Sequence, residues 1–492
     1  VYVFGVSNDL ATELEGRPAG LRERWRRLLN GLTDRVVAER RATVDTVVEA
    51  PAPLQPIDLT DDAKVTQVLD LAERVGEVVL DAGTAVTDTS AQIEFVASTY
   101  GLTNIAIDVT YNSIRISVDR GPNLPPASTM SVVHARSLDF TRLAAVDRLT
   151  RRIRRELLPP EVALAALDEI TSAPHPYNRW WSTFGWALMA AAVALLLNGG
   201  LLIALISFAT TTAIDRANRR LNRRGLPFFF QHMVGGAIAA VPAVLISTFA
   251  SGLQLDPALI IAAGIAVLLA GLQLVGAVED AITGAPITAS ARILEVVMMT
   301  GGIIAGIILT LRISERLDLT VPTVNMSPTR DLENLPLKLL AGAVTSLAFA
   351  LACYAERRAL TAAAFSGTAA IGVYLLVQHT GFGPVVSSGV AAVVVGLAGG
   401  LLARRALTPP LVVAVAGITP LLPGLKVYRG LYALLNSETL IGFNQLFSAG
   451  AVGCALAAGV TLGEWIARDL RRPAIMERFG IRNKFSGWGD IR

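Results

Sequence analysis

Two stretches combine charged side chains with helix breakers beside long apolar runs. The first is Glu279-Asp280-Ala-Ile-Thr283-Gly284-Ala-Pro286-Ile-Thr288-Ala-Ser290-Ala-Arg292. The second is Gly417-Ile-Thr419-Pro420-Leu-Leu-Pro423-Gly424-Leu-Lys426-Val-Tyr428-Arg429-Gly430. Proline and glycine interrupt the backbone hydrogen-bond ladder, and the freed groups are tolerated at membrane depth only inside protein or beside a wet cavity. Transporters hold substrates at such breaks. An amino-acid zwitterion needs a cation for its carboxylate and a carboxylate for its ammonium. Arg292, Lys426 or Arg429 suits the first task, and Glu279 or Asp280 the second. A carboxylate in such a site is also suited to carry a coupling proton. The candidate substrate- and ion-binding set is therefore Glu279, Asp280, Thr283, Gly284, Pro286, Thr288, Ser290 and Arg292, with Thr419, Pro420, Pro423, Gly424, Lys426, Tyr428 and Arg429. The competing reading makes the charges loop and headgroup residues at span ends.

These segments belong to a region built for a bilayer. Between Trp180 and Arg468 lie ten apolar stretches, near 180–197, 200–214, 227–249, 257–278, 293–311, 337–354, 359–378, 382–403, 409–428 and 441–467. They form two sets of five. Pro257, Gly264 and Gly271 recur as Pro410, Gly417 and Gly424, each 153 residues later, and that offset also places Phe229 on Phe382 and Gly236 on Gly389. Five is odd, so the second copy crosses in the opposite sense, as inverted-repeat transporters do. Hydrophobic residues make up 52% of the 492-residue chain, too many for an ordinary soluble protein. The net charge of +3 is small and gives no pointer to nucleic acid. Cys353 and Cys454 lie inside apolar spans and read as small core residues rather than a disulfide.

Orientation follows from the short loops. Arg216, Arg219, Arg220, Arg223 and Arg224 follow the second span, Arg357 and Arg358 the sixth, Arg404 and Arg405 the eighth, and Arg468, Arg471 and Arg472 the tenth. The positive-inside rule makes that side, and both termini, cytoplasmic. Trp180, Trp181 and Trp465 sit at span ends, where amphipathic rings favour the headgroup level.

The remainder divides into a basic extension and Pro-rich linker (1–56), an α+β domain (57–172), the two five-helix repeats (173–330, including an external loop, and 331–472) and a cytoplasmic tail (473–492). The run Arg22–Arg41 is helix-competent and basic, and no apolar run suited to a signal peptide occurs in the first 50 residues. In the α+β domain, Thr60 and Thr87 are placed to cap helices that Gly83 and Gly101 end. Alternation at Ile105, Ile107, Val109 and at Ile114, Ile116, Val118 predicts a hairpin turning at Tyr111-Asn-Ser, with Met130–His134 as a third strand. Helices are expected at 139–157 and 160–170. Asp108, Ser113 and His134 could be drawn as a hydrolytic site, but no nucleophile elbow or metal-ligand spacing accompanies them. A regulatory or structural role is the default.

The chain closely resembles the bacterial threonine/serine exporter family. The resemblance is carried by Leu226-Pro-Phe-Phe-Phe-Gln231, Thr283–Arg292, Gly417–Gly424 with Tyr428-Arg429-Gly430, and Leu462-Gly-Glu-Trp-Ile-Ala-Arg468, and runs from about Pro56 to Arg472. It implies a multi-pass protein of the bacterial cell membrane that exports L-threonine and L-serine, driven by protons and without a cofactor. Its partners would be those substrates, protons and the bilayer, and a homo-oligomer is compatible with it. The resemblance assigns no ligand residues. Alternatives are dicarboxylate (succinate) export, and a membrane-tethered hydrolase or sensor acting through the α+β domain.

Overall fold

A computed structural model describes residues 56–133, 138–250, 255–268, 271–319, 334–406, 409–435 and 437–470. The run Arg22–Arg41, His134, the loop containing Arg330, and Arg471 onward lie outside the described residues.

Helix α1 (Asp62–Asp81) starts one residue later than expected, because Asp61 rather than Thr60 accepts from the amides of Ala63 and Lys64. Its stripe Val65, Val68, Leu71, Ala72, Val75 and Val79 is buried. Helix α2 (Val86–Thr99) has Ala85 at its N-cap and no side-chain cap from its own chain segment, so the expected Thr87 cap is not used. Gly83 and Gly101 follow the two helices in the left-handed region, at φ +84° and +90°. Strands β1 (Ile105–Val109), β2 (Ser113–Val118) and β3 (Ala127–Val132) form an antiparallel sheet in that order, with Ile107 opposite Ile116 and Ile116 opposite Thr129. Ile114, Ile116 and Val118 pack inward. Thr129 and Ser131 donate to Glu73 and Glu77 of α1, and burial raises the Glu73 carboxyl above its ordinary range despite that bond. Ser113 shares a hydroxyl hydrogen bond with Thr110 at 2.7 Å inside the turn. Helix α3 (Phe140–Glu156) is capped by Asp139, and α4 (Pro160–Ser172) opens on Pro160.

The helical region follows: α5 (Arg179–Leu196), α6 (Leu201–Asn222), α7 (Phe228–Phe249), α8 (Pro257–Ile265), α9 (Gly271–Ile282), α10 (Pro286–Arg316), α11 (Leu335–Ala352), α12 (Arg357–His379), α13 (Pro384–Ala406), α14 (Pro410–Ile418), α15 (Gly424–Leu435) and α16 (Thr439–Asp469). Among the described residues six are long and apolar enough to cross a membrane: α7, α10, α11, α12, α13 and α16. The bent pair α14/α15 makes a seventh. The other three expected spans fall on α5, α6 and α8/α9. Helix α6 carries Asp215, Arg216, Arg219 and Arg220, and α8 and α9 are only 9 and 12 residues long.

The helix boundaries recur. α8, α9 and α10 start at 257, 271 and 286, and α14, α15 and α16 start 153 residues later at 410, 424 and 439. α5, α6 and α7 start at 179, 201 and 228, and α11, α12 and α13 start 156 later at 335, 357 and 384. The pairings Phe229/Phe382 and Gly236/Gly389 at 153 therefore do not follow the helices that hold them. The link before α14 (after Ala406) is shorter than that before α8 (after Phe249), which changes the offset. Packing recurs with the boundaries. A Cβ on Gly306 would fall 1.9 Å from Met233 O, and one on the matched Gly459 2.5 Å from Gly389 O, the match of Met233.

The α+β domain joins the helical region in one buried cluster. Phe140 N donates to Cys353 O at 3.0 Å, Phe140 packs edge-on to Phe349, and Arg148 pairs with Glu356 at 2.7 Å. Cys353 is buried here, while Cys454 is exposed on α16 and is not the core residue expected.

Candidate substrate site

Two helix breaks meet at the centre of the helical region. α14 ends at Ile418, a 3-10 turn covers Thr419–Leu421, and α15 departs from Gly424 with its direction changed by 46°. Pro420 and Pro423 supply no amide to continue the ladder, and the Thr419 hydroxyl donates back to Val415 O at 2.9 Å. The matched break lies between α8 and α9, where Ala266–Leu268 form turns without any proline. A Cβ on Gly271 would lie 2.9 Å from Leu422 Cβ and 3.2 Å from Gly424 N, so α9 begins in contact with the other break. The sequence reading set the segment Glu279–Arg292 beside the Pro420/Pro423 break; by helix boundaries its counterpart lies just before Gly271, the residue that the 153-residue repeat matches to Gly424.

Both breaks border a cavity of about 910 Å³. Leu268, Gly271 and Gln273 line it from the first, and Thr419–Lys426 with Arg429 from the second. His232, Glu295, Lys338, Tyr374, Gln378 and Ser388 add polar groups to an otherwise apolar wall that includes Trp186 and Met299. Tyr111 and Asn112, at the tip of the β1–β2 hairpin, also line it. Lys426 Nζ donates to Ser448 Oγ at 3.0 Å. His232 Nδ1 bonds to Phe228 O at 2.9 Å, within its own helix, whereas Gln231 Nε2 donates to Leu226 O at 2.6 Å and closes the α6–α7 turn. The size and the mixture of apolar wall and few polar groups suit a small polar solute.

The structure divides the expected residues sharply. Thr419, Pro420, Pro423, Gly424, Lys426 and Arg429 line the cavity. Tyr428 faces the other way, buried against α6–α10 residues and stacked on Tyr432 at 5.9 Å between ring centroids. The residues from Glu279 to Arg292 do not line the cavity; they build the junction with the α+β domain. Arg292 Nε lies 3.1 Å from Asp280 Oδ2, and both side chains are almost completely buried. Asp280 Oδ1 accepts from Val86 N at 3.0 Å, and Arg292 Nη2 donates to Thr84 O at 3.2 Å. Asp280 thus supplies from α9 the cap that α2 lacks. The remaining residues shape the turn: the Thr283 hydroxyl bonds to Glu279 O at 2.8 Å, Gly284 sits at φ +96°, Pro286 opens α10, the Ser290 hydroxyl bonds to Pro286 O, and Thr288 is buried.

Sequence reasoning missed Glu295, Lys338, Gln273 and Gln378. Glu295 carried a legible signal, a carboxylate nine residues into a long apolar helix that opens at Pro286. Lys338 reads as a loop charge because it lies near the start of α11.

The model described as "Putative threonine/serine exporter" matches residues 70–314, and the model described as "Threonine/Serine exporter, ThrE" matches residues 338–466. The threonine/serine exporter of Corynebacterium glutamicum is 46% identical over 442 residues, covering 88% of this chain and 90% of that protein. A Mycobacterium tuberculosis protein described as "Probable threonine/serine exporter" is 38% identical over 417 residues, covering 84% of this chain and 78% of that protein. No solved structure matches the chain. Likeness of this depth, spanning the α+β domain and the helices on both sides of residue 330, shows that the chain belongs to the threonine/serine exporter family, a family of membrane transporters rather than enzymes.

Proposed function

We propose that this protein exports L-threonine and L-serine from the bacterial cytoplasm across the cell membrane, coupled to the proton gradient, by alternating access at the cavity between two inverted five-span repeats. One observation carries the mechanism. Gly271 and Gly424, which occupy matched positions, lie side by side at the cavity, so near that a Cβ on Gly271 would fall 3.2 Å from Gly424 N. Matched positions of two copies meet only near the axis that relates them. That is where inverted-repeat transporters place their substrate and about which the halves rock. In this reading α5 to α10 supply five spans, with α8 and α9 as the two halves of a broken one, and α11 to α16 supply the other five. The arginines of the α6 and α12 loops face the cytoplasm, as do both termini and the α+β domain.

Purified protein in liposomes tests the proposal. Unlabelled L-threonine or L-serine trapped inside is expected to drive uptake of labelled L-threonine, and an imposed pH gradient to drive its accumulation. Counterflow of succinate without threonine would replace this reading with dicarboxylate export. Neither activity would leave a sensor or hydrolase role for the α+β domain.

A further inference from the structure

Matched positions of the two copies carry different charges at the cavity. In the first copy α9 presents Gln273 and α10 presents Glu295. At positions 153 later, α15 presents Lys426 and α16 presents Ser448. Gln273, Glu295 and Lys426 all line the cavity. The two sides are close neighbours, because Val296 and Met299 of α10 share one buried cluster with Val427 of α15 and Ala449 of α16. The first copy thus brings a carboxylate to the cavity, and the second brings the cations Lys426 and Arg429, with Lys338 of α11 also on the wall.

Glu295 Oε2 is buried and accepts no hydrogen bond among the described residues. His232 lines the same cavity. Its Nδ1 faces the Phe228 carbonyl, which can only accept, so the Nδ1 proton is used within its own helix. A buried carboxylate oxygen left without a donor is costly, and a ligand ammonium supplies one.

We propose that Glu295 receives the ammonium group, and Lys426 with Arg429 the carboxylate, of a single amino-acid zwitterion lying across the junction of the two copies. The proposal rests on the export reading above and names the groups that recognise the substrate class. A dicarboxylate would set one anionic end against Glu295, and an amine without a carboxylate would forgo the attraction of Lys426 and Arg429. The site selects for both charges at once.

The test is competition against labelled L-threonine counterflow in liposomes, using 3-hydroxybutyrate, which lacks the ammonium, and L-threoninol, which lacks the carboxylate. Neither is expected to compete with the wild-type protein. Glu295→Gln should weaken threonine about tenfold or more, the loss of one charge-assisted hydrogen bond. It should also let 3-hydroxybutyrate compete nearly as well as threonine, since the repulsion is gone. Glu295→Asp should keep the wild-type preference at weaker affinity. Unchanged discrimination in Glu295→Gln, whatever its overall rate, overturns the assignment. If Glu295→Gln does not fold, loss of the preference in Glu295→Asp overturns it equally. Absence of threonine counterflow in the wild-type protein would instead strike the export reading itself.

Discussion

Asp280 and Arg292 carry the opposite charges that an amino acid requires, and they spend them on each other and on the α+β domain. Their ion pair is almost completely buried, and it also bonds to Val86 N and Thr84 O of the α+β domain. Removing one partner of such a pair leaves an uncompensated buried charge, at a cost of about 3–5 kcal/mol. Asp280→Asn and Arg292→Met should therefore each lower thermal stability in detergent, and the double variant should recover part of the loss. The cycle isolates the coupling. Variants as stable as wild type but inactive in transport would return both residues to the substrate site. Lys426 shows the opposite outcome: a cation expected at a helix break, found beside the cavity and held by Ser448.

At the scale of elements, α7 and α10 cross so closely that glycine is required. A Cβ on Gly306 would fall 1.9 Å from Met233 O and 2.8 Å from Ala237 N, whereas one on Gly301 meets nothing within 4 Å. Backbone atoms cannot yield as a flexible side chain can, so Gly306→Ala must push the helices apart, while Gly301→Ala adds a methyl to open space. The expected result is at least about 1–3 kcal/mol of destabilisation, seen as lower yield and melting temperature, for the first and near-neutrality for the second. Equal behaviour of the two would mean that the crossing is looser than described. The length of the apolar runs announced that these elements exist. It did not announce which glycine faces a neighbour, because Gly301, Gly302 and Gly306 look alike until a second helix is laid against them.

For the whole molecule, the recurrence of helix boundaries predicts opposite orientations for the two copies. With Cys353 and Cys454 replaced, a single cysteine in place of the exposed Arg220 should react with an impermeant thiol reagent only from inside the cell. One in place of the exposed Thr380, in the turn after α12, should react only from outside. Reaction of both from the same side would end the five-plus-five arrangement. The arginine distribution and this labelling pattern are independent, so agreement between them would not be circular.

Sequence alone determined a great deal here, because the terms involved are local or compositional. The apolar stretches, the α+β hairpin from Ile105 to Val118, the glycines ending α1 and α2, and the repetition of Pro257–Gly271 as Pro410–Gly424 are all readable one segment at a time. The Pro420/Pro423 break was legible for the same reason: proline lacks the amide whatever surrounds it. The tertiary structure alone decided where opposite charges meet. Asp280 and Arg292 are held away from the cavity by a domain whose contacting residues, Thr84 and Val86, lie far away in the chain. Glu295 and Lys426 were brought to one cavity by the packing of α10 on α15. The break between α8 and α9 has no proline to reveal it; Gly271 lies where it does because the other copy's Leu422 and Gly424 occupy the space beside it. Electrostatic pairing and steric exclusion act through space, and a one-dimensional reading has no measure of that distance.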